Sequence, residues 1–233
     1  MTDLTQAEIT LDEVDQASAL VRRVALTALL AIALGFAIQG LILAAKLWGG
    51  VMPATATVIA DVTQGVTWSL LVCVGVGIVT SVSKARPLVA GLVSLLVAPL
   101  AVALAKSSQK VMSGLVSAAE QEAMLSLSAM SSLKAVEYGV LGWMLARLVQ
   151  KSEIRASRYF GTGALIGIVF GGAIAWIAYQ AGLGKGLQPG PVQIAASLIN
   201  EVLFPVGCSA VIYAGQLVGR SARLIEKAKA ATA

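Results

Sequence analysis

Six long apolar segments follow one another along the chain. They lie at about residues 24 to 45, 58 to 82, 87 to 105, 126 to 149, 160 to 181 and 193 to 218. A hydrocarbon core of ~30 Å takes ~20 helical residues, and the segments do not alternate with the period of two that a barrel wall requires. Together with 58% hydrophobic and only 12% charged residues, they predict an all-α, polytopic bundle of six membrane-spanning helices.

The basic residues predict which side of the membrane each end faces. Twelve of the 17 Lys and Arg residues flank the segments on one side, four lie on the other, and Lys134 falls inside the fourth segment. The twelve are Arg22, Arg23, Lys84, Arg86, Arg147, Lys151, Arg155, Arg158, Arg220, Arg223, Lys227 and Lys229. Basic residues accumulate in cytoplasmic loops, so both termini are predicted to be cytoplasmic in a bacterial-type inner membrane. A five-segment alternative, without the fourth, would break this alternation.

Three parts of the chain are expected outside the six segments. Residues 1–23 form a cytosolic amphipathic segment, whose helix would be capped by Thr10 with Glu13 three residues later. Residues 219–233 form a basic cytosolic tail. Residues 110–125 carry apolar side chains at helical spacing, and they are predicted to be an amphipathic connector on the outer surface, or else an extension of the fourth helix.

The six segments can be grouped as three helical hairpins. Each odd segment has a small or helix-distorting residue near its middle, and each even segment has an acid in its outer half. The former are Gly35, Pro99 and Gly171; the latter are Asp61, Glu137 and Glu201. A two-helix unit used three times is therefore a secondary hypothesis, because internal repeats are common in transporters.

A stripe of small residues runs along the fifth segment. Gly163, Gly167, Gly171 and Ala175 recur every four residues and so lie on one helical face. Such a stripe lets two helix backbones approach closely. It predicts a packing seam, either with another helix of this chain or with a second subunit.

Four ionisable residues fall within or beside the membrane segments. A central Asp or Lys costs about 2.5 to 3.5 kcal/mol to insert, so each needs a physical reason. Asp61 is predicted at the outer interface. Lys134 and Glu137 are three residues apart on one helix face, near mid-bilayer, where they can neutralise each other. The pair suits a gate or coupling site, and it equally suits a structural lock between helices.

Glu201 is the strongest candidate for an ion or proton site. Pro205 cannot donate the hydrogen bond that would occupy the Glu201 carbonyl, Gly207 loosens the same turn, and Asn200 adds an amide. Carboxylate, carbonyl and amide oxygens within one kinked turn predict a cation- or proton-binding site. In the alternative interpretation, nearby side chains and a water satisfy the kink and Glu201 reaches the outer interface.

The composition excludes several classes of function. The chain has no His, and its two cysteines, Cys73 and Cys208, form no metal-binding spacing. No nucleophile and base are spaced to work together, so no enzyme, cofactor or metal site is predicted. The pI near 9.4 follows from loop charges that meet anionic lipid, and no nucleic acid partner is expected.

Two functions remain open from the sequence. The first is a small channel or secondary carrier that binds a cation or proton at the kinked sixth helix, with Glu201, Asn200, Asp61, Glu137 and Lys134 as candidate residues. The second is a non-catalytic accessory subunit of a larger membrane complex or homo-oligomer, in which the charges lock helices together. Apart from the bilayer, the sequence identifies no partner.

Overall fold

The backbone of the protein is almost entirely helical. A computed structural model describes residues 2–81, 86–118 and 124–230, with side chains for 17–81, 86–118 and 124–218. These residues form six long helices: α1 (Thr2–Trp48), α2 (Thr55–Ser81), α3 (Pro87–Leu115), α4 (Leu127–Gln150), α5 (Ala156–Gly184) and α6 (Pro191–Ala230). A π-helical turn, Gly167–Gly171, interrupts α5. The described residues contain no strand, so the all-α prediction is confirmed.

Most of these helices are long and apolar enough to cross a membrane. Within the described ranges this holds for five of them: α1 from Ala17 to Trp48, α2, α3, α5, and α6 from Pro191 to Val218. Helix α4 has 24 residues but is less apolar, because it contains Lys134, Glu137, Arg147 and several serines. A multi-pass membrane bundle is therefore supported, whereas a sixth crossing by α4 and the cytoplasmic side of the termini remain predictions.

Helices that follow one another in the chain run in opposite directions, and α1 is also antiparallel to α6. Gly215 of α6 contacts Thr27 of α1, and Val192, at the opposite end of α6, packs against Gly49. The contacts of α2 with α1, and of α3 with α2 and α4, are antiparallel as well. The segments that flank both chain termini thus lie at one end of the bundle, which we call the basic end because Arg23, Arg86, Arg147 and Arg155 lie there.

Helices α1, α3 and α6 extend beyond the expected bounds, and α6 continues past residue 218 to Ala230. Helix α1 runs without a break from Thr2, so Thr10 lies inside it and the separate capped helix does not form. No proline separates the two parts, and backbone hydrogen bonding therefore continues. Likewise, α3 extends to Leu115, so residues 110–115 belong to the third helix and not to a connector. The rest of the expected connector includes residues 119–123, which lie outside the described residues.

The connection between α4 and α5 is held at the basic end by an ion pair. Arg155 Nε and NH2 each donate to the carboxylate of Glu153 at 3.0 Å. These side-chain hydrogen bonds, and then the backbone N–H of Arg155, lower the pKa of Glu153 to about 2. Tyr213 Oη donates to the Ile154 carbonyl at 3.1 Å, which ties the loop to α6.

The small-residue stripe of α5 packs against α6 of the same chain. A Cβ atom at Gly163, Gly167 or Gly171 would collide with the α6 backbone, at Pro205, Val202 and Glu201 respectively, and Ala175 is also buried. We call this contact the glycine seam. The π-helical turn lies within it, and π turns are frequent where a helix has a functional role. Pro99 of α3 and Pro205 of α6 both lie inside continuous helices.

Enlarging a residue of the glycine seam should loosen the bundle. In Gly167→Ala the added methyl group meets the Val202 carbonyl. Overpacking of this kind costs about 1 to 3 kcal/mol and should outweigh the ~1 kcal/mol that alanine gains from its helix propensity. We expect a lower melting temperature for the detergent-purified protein by circular dichroism.

Gly161→Ala is the matched control, because a Cβ at this position of α5 meets no atom within 4 Å. This variant should melt at or above the wild-type temperature. Equal melting temperatures for the two variants would contradict the close approach of α5 and α6.

Candidate functional site

A buried lysine lies between two buried glutamates at the contact of α4 and α6. Lys134 Nζ lies 2.7 Å from Glu137 Oε2 and 2.5 Å from Glu201 Oε2. The three residues are only 4%, 0% and 5% exposed. We call Lys134, Glu137 and Glu201 the triad. It joins α4 to α6 through charge, since Lys134 and Glu137 belong to α4 and Glu201 belongs to α6.

Two aromatic rings flank the ammonium group of the triad. Lys134 Nζ lies 5.8 Å from the ring centroid of Trp68 and 5.6 Å from that of Tyr138. The two rings pack edge to face with centroids 5.3 Å apart. Aromatic faces attract a cation within about 6 Å, and more strongly where water is excluded. The rings therefore favour the charged form of Lys134 and hold it between α2 and α4.

The triad has one more carboxylate than ammonium groups. When all three side chains are ionised its net charge is negative, and Glu137 Oε1 is buried with no hydrogen-bond partner among the residues described. Leaving a buried acceptor unpaired costs about 1 to 3 kcal/mol. Glu201 Oε1, by contrast, accepts a hydrogen bond from Asn200 Nδ2 at 2.9 Å. The triad thus combines one excess negative charge with one unpaired carboxylate oxygen.

A polar cavity of about 330 Å³ lies beside the triad, between α1, α2, α3, α4 and α6. Its charged lining residues are Lys46, Asp61, Lys106, Lys134 and Glu201, and its amides are Gln39, Gln64 and Asn200. Lys134 and Glu201 form its buried end. The opposite end, which we call the mouth, is formed by Lys46, Asp61 and Lys106, of which Lys46 and Asp61 have side chains that are 21% exposed.

The mouth has its own network of polar contacts. Asp61 Oδ2 lies 3.4 Å from Lys46 Nζ, and Asp61 Oδ1 accepts from Gln109 Nε2 at 2.9 Å. Gln109 Oε1 in turn accepts from Lys106 Nζ at 3.0 Å. Asp61 is therefore neutralised at the mouth. Of the three acids in the even segments, Glu137 and Glu201 converge on Lys134, whereas Asp61 lines the other end of the same cavity.

The three groups expected to bind a cation around Glu201 each contact a different partner within the protein. The Glu201 carbonyl packs against Gly171 in the glycine seam, the Glu201 carboxylate contacts Lys134, and Asn200 presents its amide nitrogen to that carboxylate. The cation beside Glu201 is thus an ammonium group of the protein itself. Binding of an external cation at this turn stays a prediction.

The turn that contains Pro205 is tightly packed. The Pro205 carbonyl accepts a hydrogen bond from Ser209 Oγ at 2.9 Å, and the side chain of Leu34 packs directly on Gly207. Ser209 and Pro205 are both fully buried. Gly207 therefore allows α1 to approach α6 closely at this turn.

Several residues of the site were not identified from the sequence. Gln39, Gln64, Trp68, Lys106 and Gln109 line the cavity or its mouth. Gln39 and Gln64 had a recognisable signal, because an amide within an apolar segment is costly unless it meets a partner or water. Trp68 and Lys106 had no such signal, since an aromatic residue in an apolar segment and a basic residue near a segment end are both common in membrane proteins.

The described residues contain no group of three or more side chains suited to hold a metal ion. Comparison of the chain with protein-family models, with curated proteins and with solved structures gives no match. Any functional conclusion therefore rests on the triad, the cavity and their chemistry.

Removing the lysine of the triad should destabilise the protein strongly. Lys134→Met leaves two glutamates without a countercharge at a buried position, and breaking a buried ion pair from one side costs about 3 to 5 kcal/mol. We expect a lower melting temperature and lower yield of folded protein in detergent. Lys110→Met, at an exposed lysine of α3, should leave both unchanged.

The triple variant Lys134→Met, Glu137→Gln, Glu201→Gln tests whether charge is the cause. It removes all three charges together, so its stability should recover most of the loss. A triple variant as unstable as Lys134→Met would show that the shape of Lys134, and not its charge, supports this contact.

Proposed function

We propose that the protein is a small secondary carrier of a bacterial-type inner membrane, and that the triad binds the proton that drives it. The observation that carries this proposal is a buried triad with one excess carboxylate at the end of an open polar cavity. Ionisable groups at membrane depth are expensive, and in carriers they mark proton and substrate paths. Glu201 and Glu137 are the proposed proton acceptors, with Lys134 as their fixed countercharge.

A proton fits the triad better than a metal cation does. The position between Glu137 and Glu201 that a cation would take is filled by the Lys134 ammonium group. A proton needs no further space, because it can bind to a carboxylate oxygen directly. Its binding also neutralises the excess charge of the triad.

The packing beyond the triad favours a carrier over a channel. Toward the basic end, large side chains are fully buried, among them Leu141, Leu145 and Tyr159. Close-packed side chains leave no continuous aqueous path. Passage from the cavity to the basic end therefore needs a change of conformation, as in alternating access.

The contact of α4 with α6 is the proposed moving part. Protonation of Glu201 weakens its attraction to Lys134, and this attraction joins the two helices. Pro205 lies one turn further along α6, where the helix lacks a backbone hydrogen bond. A ligand shifts a conformational equilibrium through its different affinity for the two states. The proton would do so by favouring the state in which α4 and α6 are less tightly paired.

The alternative function is an accessory subunit in a membrane complex or homo-oligomer. The triad would then act only as a lock between α4 and α6, a role that its distances also fit. In this case the cavity would have no substrate, and the chain would be purified in mild detergent together with a stable partner.

Proton-linked transport should depend on Glu201. We would reconstitute the protein in liposomes that contain a pH-sensitive dye, and add Na⁺, K⁺, organic ammonium ions or carboxylates under a pH gradient. Wild type should give a proton flux with at least one of these solutes. Glu201→Gln, which cannot bind a proton on this side chain, should reduce that flux to the level of protein-free liposomes.

Glu226→Gln is the matched control, because it removes a carboxylate from the basic C-terminal tail, outside the six apolar segments. It should keep the wild-type flux. Absence of flux with every solute in the wild type, or full flux in Glu201→Gln, would overturn the carrier function. Co-purification with a stable partner would then favour the accessory role.

A further inference from the structure

We infer that the substrate of the cavity is a small organic carboxylate, carried together with one proton. This inference rests on the proposed function and names the solute for the same cavity. It follows from three features of the lining: its balance of donors and acceptors, its apolar side chains, and the change in its charge when the triad is protonated.

Hydrogen-bond donors predominate in the cavity. Its lining contains three ammonium groups, Lys46, Lys106 and Lys134, against two carboxylates, Asp61 and Glu201. Both carboxylates already have cationic or amide partners. The Lys106 ammonium group, in contrast, donates to the neutral oxygen of Gln109. A carboxylate at the mouth would therefore meet Lys106 as its first charged partner.

Part of the cavity lining is apolar. Each of the five helices around the cavity contributes an apolar side chain: Ile42, Trp68, Val102, Met130 and Phe204. A volume of about 330 Å³ lies at the small end of the range for ligand pockets. An inorganic anion would leave these apolar side chains without a partner, whereas an organic acid with a short carbon chain would cover them. The lining thus selects a small carboxylate with an apolar part.

Protonation of the triad gives the cavity a net charge that favours the binding of an anion. With both glutamates ionised, the charges of Lys46, Asp61, Lys106 and the triad cancel. One proton on Glu201 or Glu137 gives the site a net positive charge and frees an N–H of Lys134 from a charged acceptor. Binding one carboxylate then restores neutrality. Because a buried net charge is costly, proton and carboxylate favour each other's binding.

Other titratable groups also face the triad. Tyr138 of α4 and Cys208 of α6 lie close enough to interact with its carboxylates, and Cys73 of α2 lies beside these two residues. The nearest charged groups of α1 and α3 are Lys46 and Lys106 at the mouth, and α5 meets Glu201 through Gly171. Protonation of a triad glutamate or of Asp61 changes the charge of the cavity, and the proton is assigned to the triad because Asp61 is already paired with Lys46 and Gln109.

The experiment measures carboxylate uptake by proteoliposomes. Labelled pyruvate and α-ketobutyrate are the probes, protein-free liposomes give the background, and the internal dye reports protons. We expect uptake under an inward proton gradient, with about one proton per carboxylate. Since the two charges cancel, clamping the membrane potential with K⁺ and valinomycin should leave the rate unchanged.

Substitutions at two neighbouring lysines of α3 test whether the carboxylate binds in the cavity or elsewhere on the surface. Lys106→Gln should raise the KM for the carboxylate roughly tenfold, as expected for loss of a hydrogen bond to a charged group. Lys106→Arg, which keeps the charge, should restore most of the affinity. Lys110→Gln is the matched control one turn along α3, because Lys110 does not line the cavity, and it should behave as wild type.

The contrary outcomes distinguish the carrier function, the class of substrate, the paired binding and the location of the site. Proton-linked uptake of Na⁺ or organic ammonium ions without carboxylate uptake overturns this inference and leaves the carrier function in place. Carboxylate uptake that moves no proton, or that follows the membrane potential, refutes the paired binding. Equal KM values for Lys106→Gln and Lys110→Gln refute the cavity as the binding site. Absence of any solute flux overturns both the inference and the carrier function.

Discussion

The ion pairs of Lys134 with Glu137 and Glu201 are the interaction on which the rest of the structure depends. They allow three charged groups to be buried, because each is compensated within hydrogen-bonding distance. They also join α4, which carries two of these charges, to α6. The polar cavity ends at this triad, and the aromatic rings of Trp68 and Tyr138 complete its surroundings.

The same region of α6 meets two other helices at close range. On one face the glycine seam brings α5 onto the α6 backbone, including the carbonyl of Glu201, and Leu34 of α1 packs on Gly207. The helix is thus held on several sides at the turn where Pro205 removes a hydrogen bond. A shift of α6 must therefore change the glycine seam and the triad together, which would couple the charge of the triad to the packing of α5.

The site was predictable in its parts but not in its arrangement. The high cost of charges within the membrane identified Glu201, Glu137 and Lys134, and helical spacing paired the last two. Spacing within one helix could not show that Lys134 also meets Glu201, because this contact depends on how α4 packs against α6. For the same reason, the prediction that the Glu201 carbonyl and the Asn200 amide bind a cation did not anticipate their partners. The carbonyl packs on Gly171, and the amide nitrogen donates to the Glu201 carboxylate.

The sequence by itself determined the class of the protein and the approximate extent of its helices. Long apolar segments can satisfy their backbone only as helices in a membrane, and that constraint is local. The sequence did not show that α1, α3 and α6 continue without a break beyond the apolar segments, because polar residues can extend a helix as readily as end it. Only the tertiary structure decided which charges share a site and that Asp61, predicted at the outer interface, lines the same cavity as Lys134 and Glu201. These relations depend on distances between helices far apart in the chain, which no local pattern encodes.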